Sequence, residues 1–179
     1  MPTVFTHPVV PIAIGAGFGK KIIAYPLLMA GIFASVLPDL DVVAFKMGIP
    51  YAAAFGHRGF SHSLMLAFLF ALVCSAGFRY FKIPLLPSFL FLFVSGASHG
   101  LLDTLTNGGL GIALLWPFSD ERYFAPVQVI QVSPINPARF FSKRAVNVLL
   151  SEGRWVWLPC FILFLSLLLL RWGNRLRKD

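Results

Sequence analysis

Residues 83–102 read IPLLPSFLFLFVSGASHGLL, twenty positions without a Lys, Arg, Asp or Glu. At about 1.5 Å rise per residue, a helix over this stretch reaches about 30 Å, the thickness of a bilayer's hydrocarbon core. Residues 22–38, 63–78 and 155–170 are also free of charge and long enough to be read as spans. Residues 8–19 are apolar too but reach only about 18 Å, which predicts a tilted, re-entrant or partly spanning segment. The whole chain agrees: 58% of its 179 residues are hydrophobic and 12% are charged. An average soluble domain is about a quarter charged. The expected fold is all-α, a polytopic bundle of four transmembrane helices plus a short N-terminal membrane segment, with a small outer-face loop region. At this length it forms a single membrane-embedded domain over residues 1–179.

Cys74 and Cys160 both lie inside apolar runs without partner spacing, so neither a disulfide framework nor a thiolate metal site is expected. The first nineteen residues hold no Lys or Arg, so no charged leader region precedes the apolar stretch and no cleaved signal peptide is expected.

The formal charge of +8 is tested first against the loop asymmetry of membrane proteins rather than against nucleic acid. If the segments alternate, Lys20, Lys21, Arg79, Lys82, Arg171, Arg175, Arg177 and Lys178 share one side with Asp179. That side carries a net +7, while seven basic and six acidic residues leave +1 on the other. The basic side is expected to be cytoplasmic, which turns the N-terminus and residues 103–154 to the periplasm or exterior.

Residues 103–154 mix turn signals (Asn107-Gly-Gly109, Pro126, Ser133-Pro134, Asn136-Pro137) with an alternating run, Val127-Gln-Val-Ile-Gln-Val132, that predicts a small β element. Residues 138–150 (ARFFSKRAVNVLL) read either as an interfacial amphipathic helix or as a solvated connector.

All four histidines, His7, His57, His62 and His99, fall on the outer side, together with Asp39, Asp41 and Asp103 beside the ends of the same apolar segments. Asp39 lies about 26 Å along a helix from Lys21, and His99 about 25 Å from Lys82, so two segments place donors at one depth. His99 and Asp103 are four apart and leave one helix face together. Leu37-Pro-Asp-Leu-Asp41 sets two carboxylates beside a proline, and His57-Arg-Gly-Phe-Ser-His62 sets two imidazoles on a turn. Taken singly, a histidine at a helix end is an ordinary hydrogen-bonded residue; the joint placement of seven donors points to a metal cluster. Imidazole with carboxylate suits Zn, Mn or Fe, and seven donors exceed the four of a tetrahedral Zn, which points to two divalent transition ions, Zn favoured.

Arg58 stands between the two imidazole positions, either to bind an anion or to snorkel to the interface. Ser63, Thr104 and Asn107 flank the same ends, as supports for the donors or as helix caps. Residues 116–126 (WPFSDERYFAP) read as an aromatic anchor at the headgroups or as a lid. There is no HExxH, P-loop or GxSxG motif, too few histidines for a membrane di-iron desaturase, and no PSGH motif to accompany HxxxD as in phosphohistidine lipid phosphatases.

Several motifs together resemble the YdjM family of bacterial inner-membrane proteins, described as metal-dependent hydrolases. They are Met1-Pro-Thr-Val4 with His7, Leu37-Pro-Asp39 with Asp41, Phe55-Gly-His-Arg-Gly-Phe-Ser-His-Ser63, Ser98-His99 with Leu102-Asp103, Gly108-Gly109, and Leu115-Trp-Pro117 with Ser119-Asp-Glu-Arg122. The family often has Thr where Ser61 stands. The resemblance implies an inner-membrane location, hydrolytic activity and a LexA association. More remotely, the His/Asp pattern is similar to zinc-dependent phospholipase C and P1-type nucleases, helical enzymes with three zinc ions. Those use their N-terminal residue as a ligand, whereas six residues precede His7 here, so a third ion stays open.

The expectation is a metal-dependent hydrolase, phosphoric-ester class, that cleaves a lipid phosphoester at the outer interface through metal-bound hydroxide. Its metal ligands would be His7, Asp39, Asp41, His57, His62, His99 and Asp103. Arg58 would stabilise developing charge, and one of Asp39, Asp41 or Asp103 would act as base. Membrane lipids and a lipid-linked substrate are the expected partners, with no nucleic acid. The rivals are a metal transporter or sensor, which needs polar residues continuing across the bilayer, and a regulatory protein with a coordinatively closed structural metal.

A reporter fused after Asp179 is expected to be cytoplasmic and one inserted at Asn136 external, because the +7 against +1 asymmetry sets orientation. Reversed signals in a paired phosphatase and fluorescence assay would overturn that placement.

Overall fold

Prolines and glycines set the element boundaries in this chain. The computed structural model describes residues 1–78, 82–133 and 143–176. Helix α1 (Val9–Phe18) stops at Gly19, whose φ of 79° is a left-handed conformation suited to glycine. Helix α2 (Tyr25–Val36) carries Pro26 in its first turn, where a missing N–H costs nothing. Past Val36 the chain tightens into a 3-10 helix, Leu37–Val42, around Pro38, which has no N–H to continue the α ladder. A short α3 (Val43–Lys46) follows, then a turn region, a 3-10 turn at Phe60–His62, α4 (Leu64–Phe78) and α5 (Leu85–Thr104). After an irregular stretch come α6 (Lys143–Glu152), a π turn (Gly153–Trp157) and α7 (Leu158–Leu176).

Among the described residues three helices are long and apolar enough to cross a membrane: Tyr25–Val42, Leu85–Thr104 and Arg144–Leu176. The fourth expected span is α4, whose 15 residues reach about 22 Å, shorter than the hydrocarbon core. Helix α1, with 10 residues, is shorter still, as its sequence implied. The expected span 155–170 is the middle of a 33-residue helix that begins at Arg144. The amphipathic stretch is therefore fused to the last span rather than separated from it. Its first residues, 138–142, lie outside the described residues, as do Pro134, Asn136, Pro137, Arg79, Arg177 and Lys178.

The β element expected at Val127–Val132 is reduced to single bridges, Thr106 with Ile130 and Ile112 with Tyr123, and the described residues contain no strand. The cause is local. Next to the Thr106–Ile130 bridge, Gln131 N–H donates to Ser151 Oγ and Val132 N–H to Asn107 Oδ1, so side chains take the donors a second strand would need.

Helices α2, α4 and α5 enclose one core around Leu27, Ala71, Phe91 and Leu92. A second core joins α1 to the α6–α7 helix through Ala13, Ile130, Val156 and Cys160. Lipid tails are as apolar as leucine, so close approach rather than water exclusion holds such helices together, and small residues permit it. Gly31 faces the Phe91 ring, a Cβ on Gly17 would stand 2.7 Å from Leu167 Cβ, and one on Gly96 would stand 3.2 Å from Ala67 Cβ. Val73, Leu86, Leu169 and Leu170 remain largely exposed, as lipid-facing side chains do.

Gly31→Val is expected to destabilise the detergent-purified protein by about 1–3 kcal/mol, because the added carbons meet an aromatic ring that cannot give way without leaving its rotamer. Gly173→Ala, where a Cβ meets nothing within 4 Å, is the control. Equal thermal midpoints would show that α2 and α5 are not closely packed.

Candidate metal centre

The side chains that converge come from four elements. His7 lies in the turn before α1, closed by Thr6 N–H to Thr3 O at 2.9 Å and Val9 N–H to Thr6 O at 3.1 Å. Asp39 sits in the 3-10 extension of α2, His62 ends the turn before α4, and His99 and Asp103 project from one face of α5. His7, His99 and Asp103 are 0% exposed, and His62 and Asp39 are buried.

His99 defines the chemistry. Its Nδ1 lies 2.7 Å from the Ser35 carbonyl, which can only accept, so Nδ1 carries a proton and Nε2 is the nitrogen left to bind an ion. That nitrogen faces Asp39 Oδ1 at 3.4 Å. The same pattern recurs around it. His62 Nε2 stands 3.6 Å from Asp103 Oδ2 and 3.9 Å from Asp39 Oδ1, and His7 Nε2 stands 3.7 Å from Asp103 Oδ1 and 3.9 Å from Asp39 Oδ2. Burial, followed by the neighbouring His99, holds His7 down to about 3, and burial also lowers His62. Both rings are therefore neutral at pH 7. None of these facing atoms has a hydrogen-bond partner.

Buried acceptors aimed at one another repel unless a cation lies between them. Two ligands bound at about 2.1 Å in tetrahedral geometry stand about 3.4 Å apart, close to the spacing seen here. His7, His99 and Asp103 form one set with all ligand atoms within 4.8 Å of one another, and Asp39, His62 and His99 form another. The residues fit a divalent transition ion, and since both sets share the single free nitrogen of His99, they describe one compact centre.

Asp41 and His57, sequence candidates for ligation, stand in an outer layer. Asp41 Oδ1 accepts from His57 Nδ1 at 2.5 Å, and its Oδ2 accepts from Ser61 Oγ at 2.5 Å and from the Arg58 N–H at 3.0 Å. His62 Nδ1 lies 3.3 Å from the same Oδ2, so Asp41 orients the ring whose other nitrogen faces inwards. Arg58 is 1% exposed, which removes the snorkelling reading. Its Nη1 donates to Gly108 O at 2.6 Å and its Nη2 to Thr106 Oγ1 at 3.2 Å, while Nε lies 3.2 Å from Asp103 Oδ2. Gly109, at φ 92°, passes so close that a Cβ would meet Nη1 at 2.5 Å. The guanidinium thus balances Asp103 and is not free to take up an external anion.

The lighter candidates have structural partners. Ser63 Oγ accepts from Leu66 N–H, Thr104 Oγ1 donates to Leu101 O, and Asn107 Oδ1 holds Val132 N–H. In the 116–126 loop, Arg122 bonds the carbonyls of His57, Tyr51 and Ala53, and Trp116 packs beside Phe55 and Phe60. That loop straps the turn carrying His57, Arg58 and His62.

Glu152 escaped the sequence reading. It is fully buried and receives Thr3 N–H, Thr3 Oγ1 and Thr6 Oγ1, while Trp157 Nε1 donates to Thr6 Oγ1. The turn that presents His7 is thereby tied to the long C-terminal helix. A lone acid at the start of an apolar span was the available signal. Beside Asp39, a cleft of about 270 Å³ runs between residues 1–4 and the end of α2, with Val4, Phe33, Val36 and Leu40 among its walls.

Fold and site together define a polytopic helical membrane protein with a buried His/Asp centre. The family model described as YdjM inner membrane protein matches residues 1–176, and the chain belongs to this family. It is 51% identical to the inner membrane protein YbcI of Escherichia coli K12 over 164 residues, 91% of this chain and 95% of that one. To the inner membrane protein YdjM of Escherichia coli K12, and to that of Shigella flexneri, it is 35% identical over 117 residues, 59% of this chain and 56% of each. No solved structure matches. Family membership and the apolar helices place the chain in the inner membrane.

Glu152→Ala is expected to lower stability by about 3 kcal/mol or more, since it removes three hydrogen bonds to a charged group and leaves buried donors unpaired. Glu121→Ala, at an exposed bond to Tyr123, should change it by no more than about 0.5 kcal/mol. Similar melting curves for the two variants would contradict this role for Glu152.

Proposed function

We propose that the chain is a membrane-embedded, metal-dependent hydrolase acting on a phosphoester of a lipid. One observation carries the reading: five inward-facing donors have no hydrogen-bond partners, and one of them, Asp39, borders a cleft walled by Val4, Phe33, Val36 and Leu40. His7, Asp39, His62, His99 and Asp103 would hold the ion. Zn suits this mixture of imidazole and carboxylate. The geometry favours one ion, because both donor sets converge on His99.

Bound there, the ion supplies a Lewis acid and a water acidic enough to ionise near neutral pH. The chain's own residues do the rest. The apolar cleft admits a lipid from the side and keeps bulk water out. Asp39, the donor bordering it, is placed to take a proton from an attacking water at Oδ2. Asp41 fixes the tautomer of His62, and Ser35 O fixes that of His99. Arg58 offsets the charge of Asp103, so its effect on the reacting phosphate is indirect.

A second reading has a specific observation in its favour. Five donors are enough to close a tetrahedral ion's coordination, which is the mark of a structural metal in a regulatory protein. A LexA partner belongs to that reading. The open cleft at Asp39 favours the enzyme.

The test is metal analysis and turnover on one preparation. Purified protein is expected to carry at least one equivalent of a divalent transition metal, and His62→Ala to lose most of it. Phospholipids, polyprenyl phosphates and pyrophosphates are then assayed for released phosphate or headgroup, with activity abolished by a chelator and restored by Zn. Full metal content without turnover on any of them would favour the structural reading, and turnover untouched by chelation would overturn both.

A further inference from the structure

At the opposite end of the bundle a second concave region has no connection with the metal centre. Its α5 wall begins near Leu86, about 20 Å along that helix from His99. A cavity of about 570 Å³ lies between the end of α1, the start of α2 and the end of α7, and Lys20, Lys21, Arg171 and Arg175 line it. Among the described residues none of these four cations pairs with a carboxylate. Arg171 is held in place by Nη1, which donates to Ala16 O at 3.3 Å, and it lies across Gly19, where a side chain would displace it. Helix α2 starts at the same cavity without a side-chain cap, so its first N–H groups add to the positive end.

Beside this cavity runs an apolar groove of about 500 Å³ between α1, α5 and α7, with Leu90, Val94 and Leu163 among its walls. The two regions share Phe18, Ile22 and Ile23. From Leu86 to Val94 the groove follows α5 for about 12 Å. A pocket of cations that opens into a greasy channel has the polarity of an amphiphile with an anionic head.

We propose that this composite pocket binds an anionic phospholipid, with its phosphate among Lys20, Lys21, Arg171 and Arg175 and an acyl chain in the groove along α5. Basic pockets between helices at the positive side of a membrane protein meet anionic lipid, and each cation near the surface strengthens that attraction about fivefold. The occupant is a bound lipid rather than the substrate, because the two regions lie at opposite ends of the bundle.

The experiment uses the full chain purified in a neutral detergent. It is reconstituted with equal amounts of phosphatidylglycerol and phosphatidylcholine and re-extracted, and the lipid retained per chain is counted by native mass spectrometry. Phosphatidylglycerol is expected to be retained over phosphatidylcholine by at least fivefold. Lys21→Gln with Arg171→Gln should lower its retention about 25-fold, and Arg175→Gln alone, on an exposed residue, about fivefold. Leu90→Trp fills the groove without changing charge and should also release the lipid, whereas glycerol phosphate at millimolar concentration should not displace it. Equal retention of the two lipids overturns the proposal. So does an unaltered Arg175→Gln or Leu90→Trp protein, and displacement by glycerol phosphate would show a soluble-anion site instead.

Discussion

The contact on which the site depends sets His99 Nε2 against Asp39 Oδ1 in a buried place. Neither can turn away at low cost. His99 is pinned through Nδ1 to the Ser35 carbonyl, so rotating the ring would strip that carbonyl of its donor. Ser35 and Asp39 are four residues apart on one continuous strip of α2 and its 3-10 extension, so a single imidazole reads both. The helices α2 and α5 are held in one register by this ring, and the other donors are arranged around the charge it leaves unbalanced.

The outer layer explains how such an arrangement survives. Arg58 adopts a left-handed backbone at φ 64°, a costly conformation for a non-glycine residue. It is over-determined by bonds on every side: its N–H to Asp41, its carbonyl to Ala113, its guanidinium to Gly108 and Thr106. One residue thereby supplies a buried positive charge to Asp103 and turns the chain so that His57 and His62 share Asp41.

The membrane fold and the donor set were legible because ionisable residues are rare among apolar runs, so seven of them at one depth stand out. Which of Asp39 and Asp41 faces inwards was less legible. Two positions apart on an α or 3-10 helix, they project about 200–240° apart, so one ion cannot be served by both from the same turn. The spacing alone does not choose between them; the packing of the His57–His62 turn against Asp41 does. Alternation at Val127–Val132 implied a strand, but pairing needs a partner, and side chains of Asn107 and Ser151 occupy that role. The fused α6–α7 helix hides in sequence because its polar first half and apolar second half look like separate elements, and only the π turn between them shows the continuity. The role of Glu152 was hard to read beyond its lone charge, because its three donors lie about 150 residues away.

The bond network of Glu152 carries a consequence for synthesis. Every inward donor has been synthesised once Asp103 is made, yet the turn that presents His7 gains its anchor only when residue 152 follows. A nascent chain inserted as far as α5 has its ligand set complete in composition and incomplete in place. The His7 turn therefore lacks its Glu152 anchor until the helix that carries Glu152 is in place. In such an order the final span acts as the latch on a site to which it contributes no ligand.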